Sequence, residues 1–111
     1  MRRLVLDDDP IRHDWFAVRF PGIVASRTVS EALQWLGTGD WDELYLDHDL
    51  GTEPAVGRDV AKWLIERPTV MPELRIIVHS VNIVSGPKIE RELRAAGRWA
   101  ESIPFDVLVN S

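Results

Sequence analysis

The chain has 111 residues, 45% hydrophobic and 28% charged, with no cysteine. That composition fits one globular domain with a single core, and it leaves out thiolate catalysis, cysteine-based zinc sites and disulfide scaffolds. A net charge of −5, from 18 acidic residues against 13 Lys and Arg that are mostly scattered, argues against general DNA or RNA binding, which needs clustered cations. Met1-Arg2-Arg3 precedes only three apolar residues, and no apolar run approaches the roughly 20 residues needed to cross a bilayer, so neither a signal peptide nor a membrane span is expected and the chain reads as cytoplasmic.

Leu4-Val5-Leu6 is a short unbroken apolar run closed by Asp7-Asp8-Asp9, the pattern of a strand buried on both faces. Asp9 is placed to cap a helix and Pro10 to occupy its first turn, where a missing N–H costs nothing. Ile11, Trp15 and Val18 give that helix its expected apolar face, and Phe20-Pro21-Gly22 ends it. A second strand is expected at Ile23-Val24-Ala25. Thr28-Val29-Ser30-Glu31 then reads as a capping box, opening a helix with a stripe of Val29, Ala32, Leu33 and Leu36 and a left-handed end at Gly37. Leu44-Tyr45-Leu46 is a third strand, again closed by acids, in Asp47-His48-Asp49-Leu50-Gly51.

Gly51 to Val56 has loop composition, and Val60, Trp63, Leu64 and Arg67 mark a helix stopped before Pro68. Ile76-Ile77-Val78 is the fourth strand and runs into His79-Ser80-Val81-Asn82. Pro87 starts a helix in which Ile89, Leu93 and Ala96 face inward, with Gly97 just past its end. Strands alternating with helices over such short connections imply parallel pairing, right-handed crossovers and helices on both faces of a doubly wound sheet. The residues just after strands one, three and four then gather at the carboxyl edge, where ligands of open α/β sheets bind.

Asp7, Asp8 and Asp47 are expected to converge there. Two carboxylates about 4 Å apart repel by roughly 4 kcal/mol at the effective dielectric of a protein surface, so either one takes up a proton or a hard divalent cation sits among them. An all-oxygen, solvent-facing ligand set suits Mg²⁺ or Mn²⁺, which keep several waters.

These segments, together with Asp42 before the third strand and Pro104-Phe105-Asp106 near the C-terminus, resemble bacterial response-regulator receiver domains over nearly the whole chain. The resemblance implies a flavodoxin-type, five-stranded parallel sheet in the order 2-1-3-4-5. It makes Asp7 and Asp8 the metal-binding pair, Asp47 the phosphoryl acceptor, Asp49 a metal ligand through its backbone carbonyl, and Ser80 the hydroxyl that meets the phosphoryl oxygen. Receivers also carry a Lys before the Pro of the fifth strand, whose ammonium pairs with the phosphoryl group; here Ile103 precedes Pro104, and the two lysines, Lys62 and Lys88, fall in predicted helices. The chain ends at Ser111, so the last helix is expected to be a stub, leaving a sheet face open to a protein partner or a second copy. Leu46-Asp47-His48-Asp49-Leu50-Gly51 and His79-Ser80-Val81-Asn82 match more closely the cyclic-phosphate processing receiver domains, whose name implies a substrate with a cyclic phosphate end.

The leading reading is metal-assisted phosphoester processing on a phosphorylated small molecule or cyclic phosphate. In it Asp7, Asp8, Asp47 and Asp49 hold the metal, Asp47 and His79 carry the chemistry, His79 or Asp49 takes the proton of an attacking water, and Ser80 and Asn82 hold phosphoryl oxygens. Two other classes stand beside it: a stand-alone phospho-accepting receiver using Asp47, and a non-catalytic receiver-like module that binds a protein. Plainer roles are also open. Three Asp before Pro also make a capped turn, His79 is equally readable as a hydrogen-bonded strand-end residue, and Ser80 and Asn82 as caps of the next helix. His48 is expected to point away from Asp47 across the strand and His13 to lie on the surface. The five tryptophans are expected to serve packing, and Arg91, Arg94 and Arg98 to form a solvated basic edge.

Overall fold

A computed structural model describes residues 1–49 and 56–111, so the loop predicted from Gly51 falls outside the described residues except for Val56. Five strands, β1 (Arg3–Leu6), β2 (Val24–Ser26), β3 (Glu43–Leu46), β4 (Arg75–Val78) and β5 (Trp99–Ser102), form one sheet in the order β2-β1-β3-β4-β5. Every pairing is parallel. Between and after them run α1 (Pro10–Arg19), α2 (Val29–Leu36), α3 (Gly57–Ile65), α4 (Ser85–Ala95) and α5 (Phe105–Leu108). No helix among the described residues is long and apolar enough to cross a membrane.

The unbroken apolar runs have the origin expected of them, because alternate residues of each central strand feed separate cores. Leu4, Leu6, Leu44, Leu46, Ile76 and Val78 pack with α2, α3 and α4, whereas Val5, Tyr45 and Ile77 pack with Phe16 of α1 and with Phe105 and Leu108 at the C-terminus. The last helix is a single short turn, as expected. Phe105 stacks edge-on against Trp15 at 5.4 Å, so the stub closes part of this face and leaves Val107 and Val109 turned outward.

Asp9 caps α1 by accepting the Ile11 N–H at 2.9 Å, with Pro10 in the first turn. The inward face of that helix matches the predicted one at Trp15, which packs against the core around Phe16, but not at Ile11 and Val18. Ile11 and Val18 are 76% and 82% exposed, while Phe16 is wholly buried, because the stripe facing the sheet runs through Arg12, His13, Phe16 and Phe20. Its first turn faces the acidic edge and is therefore polar, so a hydrophobic pattern selects the wrong side.

Four smaller expectations also shift. β2 lies one residue later than predicted. Thr28 caps α2 by accepting the Glu31 N–H, but the Glu31 carboxylate meets the Thr28 hydroxyl instead of a backbone N–H. α4 begins at Ser85, two residues before Pro87, because Asn82 Oδ1 accepts the N–H groups of Val84 and Ser85 and Pro87 still falls in the first turn. Gly37 is right-handed, with φ −76°, whereas Gly97 ends α4 in the left-handed region at φ +85°.

The predicted basic edge also dissolves. Arg98 is buried, and its guanidinium donates to the carbonyls of Leu64, Arg67, Val70 and Met71, at and just beyond the end of α3. Arg94 donates to the Ala100 carbonyl, and Arg91 alone of the three makes no side-chain hydrogen bond or ion pair among the described residues. The tryptophans serve packing, as expected, with Trp41 buried and set edge-on to Trp35.

One glycine bears directly on the carboxyl edge. A Cβ at Gly57 would lie 1.9 Å from the Asp47 carbonyl oxygen and 2.8 Å from its carbon, both backbone atoms, so α3 begins in van der Waals contact with the end of β3. Gly57→Ala is expected to lower the melting temperature by about 8 °C or more, whereas Gly37→Ala, in a right-handed site with only ordinary contacts, should leave it unchanged or raise it by a few degrees. Thermal melts of the two variants check this; equal effects would refute the close approach of α3.

Candidate functional site

The site follows from the register of the sheet. Leu6 pairs with Leu46 and Leu46 with Val78, and the ladder continues one residue further: Asp47 N–H donates to the Leu6 carbonyl, His79 N–H to that of Leu46, and Ile103 N–H to that of Val78. Asp7, Asp47, His79 and Ile103 therefore stand in one row just beyond the strand ends. They share the parity of Val5, Tyr45 and Ile77, which places them on the α1/α5 side of the sheet. The Asp7 N–H donates to the Ser26 carbonyl of β2, which anchors the row at its other end.

Asp7, Asp47 and His79 are 0%, 3% and 0% exposed, and their potential ligand atoms lie within 4.8 Å of one another. Asp7 Oδ1 accepts the Asp9 N–H at 2.9 Å, and Asp7 Oδ2 lies 2.8 Å from His79 Nε2. Burial pushes the Asp7 carboxyl up, but the hydrogen bonds from His79 and the Asp9 N–H, with the nearby positive charge of Arg12, outweigh it and leave the group below its ordinary value. Burial also holds His79 below the usual imidazole range, against the pull of Asp7. A neutral imidazole facing a carboxylate must donate through Nε2, which leaves Nδ1 as a buried acceptor; it has no partner among the described residues. Asp47 is pushed up to about 7, first by burial, then by the charge of Asp7, with Arg12 offsetting part of the rise.

The cation nearest these acids is one that sequence reasoning missed. Arg12 Nη1 lies 3.5 Å from Asp7 Oδ2 and 3.5 Å from Asp47 Oδ2, and Arg12 Nε lies 3.8 Å from Asp9 Oδ2. All three contacts are longer than the 2.7–2.9 Å typical of a strong charge-assisted bond, so the carboxylates are only partly compensated. His13, expected on the surface, instead bonds the Asp7 carbonyl through Nε2. The available signal was helical spacing: Arg12 and His13 follow the cap at Asp9 by three and four residues, which turns both toward the strand end.

The other expected residues are placed differently. Asp8 is half-buried and stands outside the group formed by Asp7, Asp47 and His79. The exposed side chain of Asp49 pairs with His48 Nδ1 at 2.9 Å. Ser80 is buried and its Oγ accepts the Asn82 N–H, while Asn82 Oδ1 caps α4. Both residues thus shape the turn into α4, and the Ser80 hydroxyl proton and Asn82 amide donate to no group among the described residues. His79 does not stand at the mouth of the edge, as a residue exchanging protons with solvent would; it lies beneath it, against Phe16 and Phe105. Ile103, in the row beside it, packs into the α1/α5 core.

Two buried carboxylates with one long-range cation fit a hard divalent ion, with Asp7 and Asp47 as the oxygen donors and His79 adjacent. Sheet order, helix placement and an acidic carboxyl edge together define a receiver-type α/β domain. The model of the cyclic-phosphate processing receiver domain matches residues 2–95, and the chain belongs to that family.

No curated protein matches the sequence. Among solved structures, a response regulator from Burkholderia pseudomallei, determined with a phosphorylated aspartic acid, a calcium ion and citrate, superposes with a TM-score of 0.69 at 18% identity. The match covers 92% of this chain and 58% of that one, so the chain spans little more than half of that protein. The response regulator TrrA from Thermotoga maritima, in complex with Mg²⁺-BeF, gives 0.68 at 20% identity over 99% of this chain and 95% of that one. RcsB from Salmonella typhimurium gives 0.57 at 18% identity over 92% and 52%. These likenesses establish the shared fold.

A stability test follows from Asp47. Its carboxyl binds a proton more tightly in the folded chain, at about 7, than at the ordinary 3.8, so its contribution is complete below about pH 4 and is lost as the pH rises through 7. In EDTA, Asp47→Asn is expected to melt about 5 °C or more above the parent at pH 8, with the gap shrinking toward pH 5. Melting curves across that range check this; a variant no more stable than the parent at pH 8 would contradict it.

Proposed function

We propose that the chain carries out metal-assisted processing of a phosphoester at the Asp7–Asp47 edge, with a cyclic phosphate as the substrate class. The observation that carries this reading is the row itself: a buried imidazole hydrogen-bonded to one of two adjacent carboxylates, an arrangement that a site built only to accept a phosphoryl group on an aspartate does not require. The family supplies the substrate class. The Thermotoga neighbour, bound to Mg²⁺-BeF, and the Burkholderia neighbour, with its calcium ion and phosphorylated aspartate, support a divalent cation and a phosphoryl group on this fold.

Asp7 and Asp47 would hold Mg²⁺ or Mn²⁺, with Asp8 and the Asp49 carbonyl as candidates to complete the set. A divalent ion there supplies Lewis acidity toward a phosphoryl oxygen and a lower pKa for an attacking water. His79 is fully buried, so it acts through Asp7: its Nε2 hydrogen bond fixes the orientation of that carboxylate and keeps it ionised. Asp49, whose side chain is exposed, would take a proton from water at the rim. The Ser80 hydroxyl and the Asn82 amide are the donors for phosphoryl oxygens.

The test is incubation of the full chain with a 2′,3′-cyclic nucleotide and Mg²⁺ or Mn²⁺, followed by chromatography of the products. Ring opening to a nucleoside monophosphate is expected, with loss of about 100-fold or more in Asp47→Asn, abolition by EDTA, and a loss in His79→Ala that His79→Gln partly recovers because it keeps a donor toward Asp7. No turnover, combined with a stable gain of one phosphoryl group from a small phosphodonor that Asp47→Asn abolishes, would overturn the proposal in favour of a phospho-accepting receiver.

A further inference from the structure

We infer that Arg12 is the side chain that binds the phosphoryl group of the substrate, in place of the cation that Ile103 cannot supply; this rests on the phosphoester reading above. Two carboxylates and one divalent ion sum to zero, so an anionic phosphoester brought against Asp47 still needs a positive partner. Within the row itself the position beside His79 is Ile103, packed into the apolar core. Neither lysine pairs with Asp7 or Asp47 among the described residues: Lys62 lines a surface hollow with Arg58 and Glu92, and Lys88 is an exposed residue of α4.

Arg12 is the Arg or Lys in contact with both Asp7 and Asp47 among the described residues, and its placement suits the task. Its side chain is 21% exposed, against 0% for Asp7 and 4% for Asp47, so the guanidinium lies between the buried carboxylates and solvent. An anion approaching Asp47 meets it first. Its only hydrogen bond among the described residues is the 3.5 Å contact from Nη1 to Asp7, which leaves most of its five donors uncommitted. The face of Phe105 lies 5.0 Å from its Cζ and keeps the group near the edge when it leaves the carboxylates.

Arg12 and a divalent ion would compete for the same two carboxylates. Without an ion, the guanidinium partly neutralises the acids. An ion held by Asp7 and Asp47 would displace the guanidinium, whose planar fork could then take two phosphoryl oxygens. Removing Arg12 should therefore weaken phosphate binding without weakening metal binding.

The experiment measures Mn²⁺ affinity by electron paramagnetic resonance and inorganic phosphate affinity in saturating Mg²⁺ by calorimetry, on the full chain, on Arg12→Gln and on Arg12→Gln combined with Ile103→Lys. Arg12→Gln is expected to weaken phosphate binding about tenfold or more while Mn²⁺ binding holds or tightens, and the added Ile103→Lys should recover much of the lost phosphate affinity. Should glutamine loosen the fold, as circular dichroism would reveal, Arg12→Lys takes its place: phosphate affinity should fall several-fold as the fork is lost, with Mn²⁺ affinity unchanged.

Phosphate affinity equal to that of the parent in either variant, or a parallel loss of Mn²⁺ and phosphate, overturns the assignment of Arg12. A parent chain that binds Mn²⁺ but no phosphate overturns it too, and one that binds neither removes the phosphoester reading along with it.

Discussion

Parallel register places two aspartates side by side at the ends of β1 and β3, buried and with oxygens within 4.8 Å of each other. Charges at that spacing repel by a few kcal/mol even at an effective dielectric of about 20, and the pair cannot stay doubly ionised without positive charge close by. Much of the surrounding structure answers this constraint. Asp7 is kept ionised by His79, by the Asp9 N–H and by Arg12, and the strain falls on Asp47, whose carboxyl rises to about 7. The edge thus has two solutions, a proton on Asp47 or a cation between the acids, with Arg12 as a partial internal counter-charge.

The helices are arranged around the same edge. α1 starts at Pro10, α3 at Gly57 and α4 at Ser85, each following the carboxyl end of a central strand, so their positive ends ring the acids and favour anionic groups there. The approach of α3 is close enough to require glycine at position 57. Ser80 and Asn82 make the turn that sets α4 in place. In this site a residue can thus serve the fold and still present a donor to a ligand, which is why the structural and functional readings of Ser80 and Asn82 are not exclusive.

The legible and illegible parts of this molecule divide along a physical line. Strand positions could be read because a sheet buried on both faces demands runs such as Leu4-Val5-Leu6, and the acidic residues closing those runs marked the carboxyl edge. Asp9, Thr28 and Gly97 signalled helix ends through local chemistry, and their roles do not depend on tertiary contacts. The inward face of α1 could not be read from apolar periodicity because its first turn packs Arg12 and His13 against the acids, leaving Ile11 and Val18 outside. Arg98 looked like surface charge because nothing local reveals that four carbonyls at and beyond the end of α3 converge on its guanidinium. His79 was recognisable as a member of the site, but its burial beneath Asp7, and hence its supporting role, depends on strand parity across the whole sheet.

The central claim is that the Asp7–Asp47 pair is a cation site for which Arg12 stands in. Crystals soaked in Mn²⁺ and measured at an energy where manganese scatters anomalously test it most directly. The account predicts an anomalous peak between the two carboxylates, with the Arg12 guanidinium withdrawn from both. A map with no peak there at saturating Mn²⁺, and with Arg12 still lying across both acids, would contradict it.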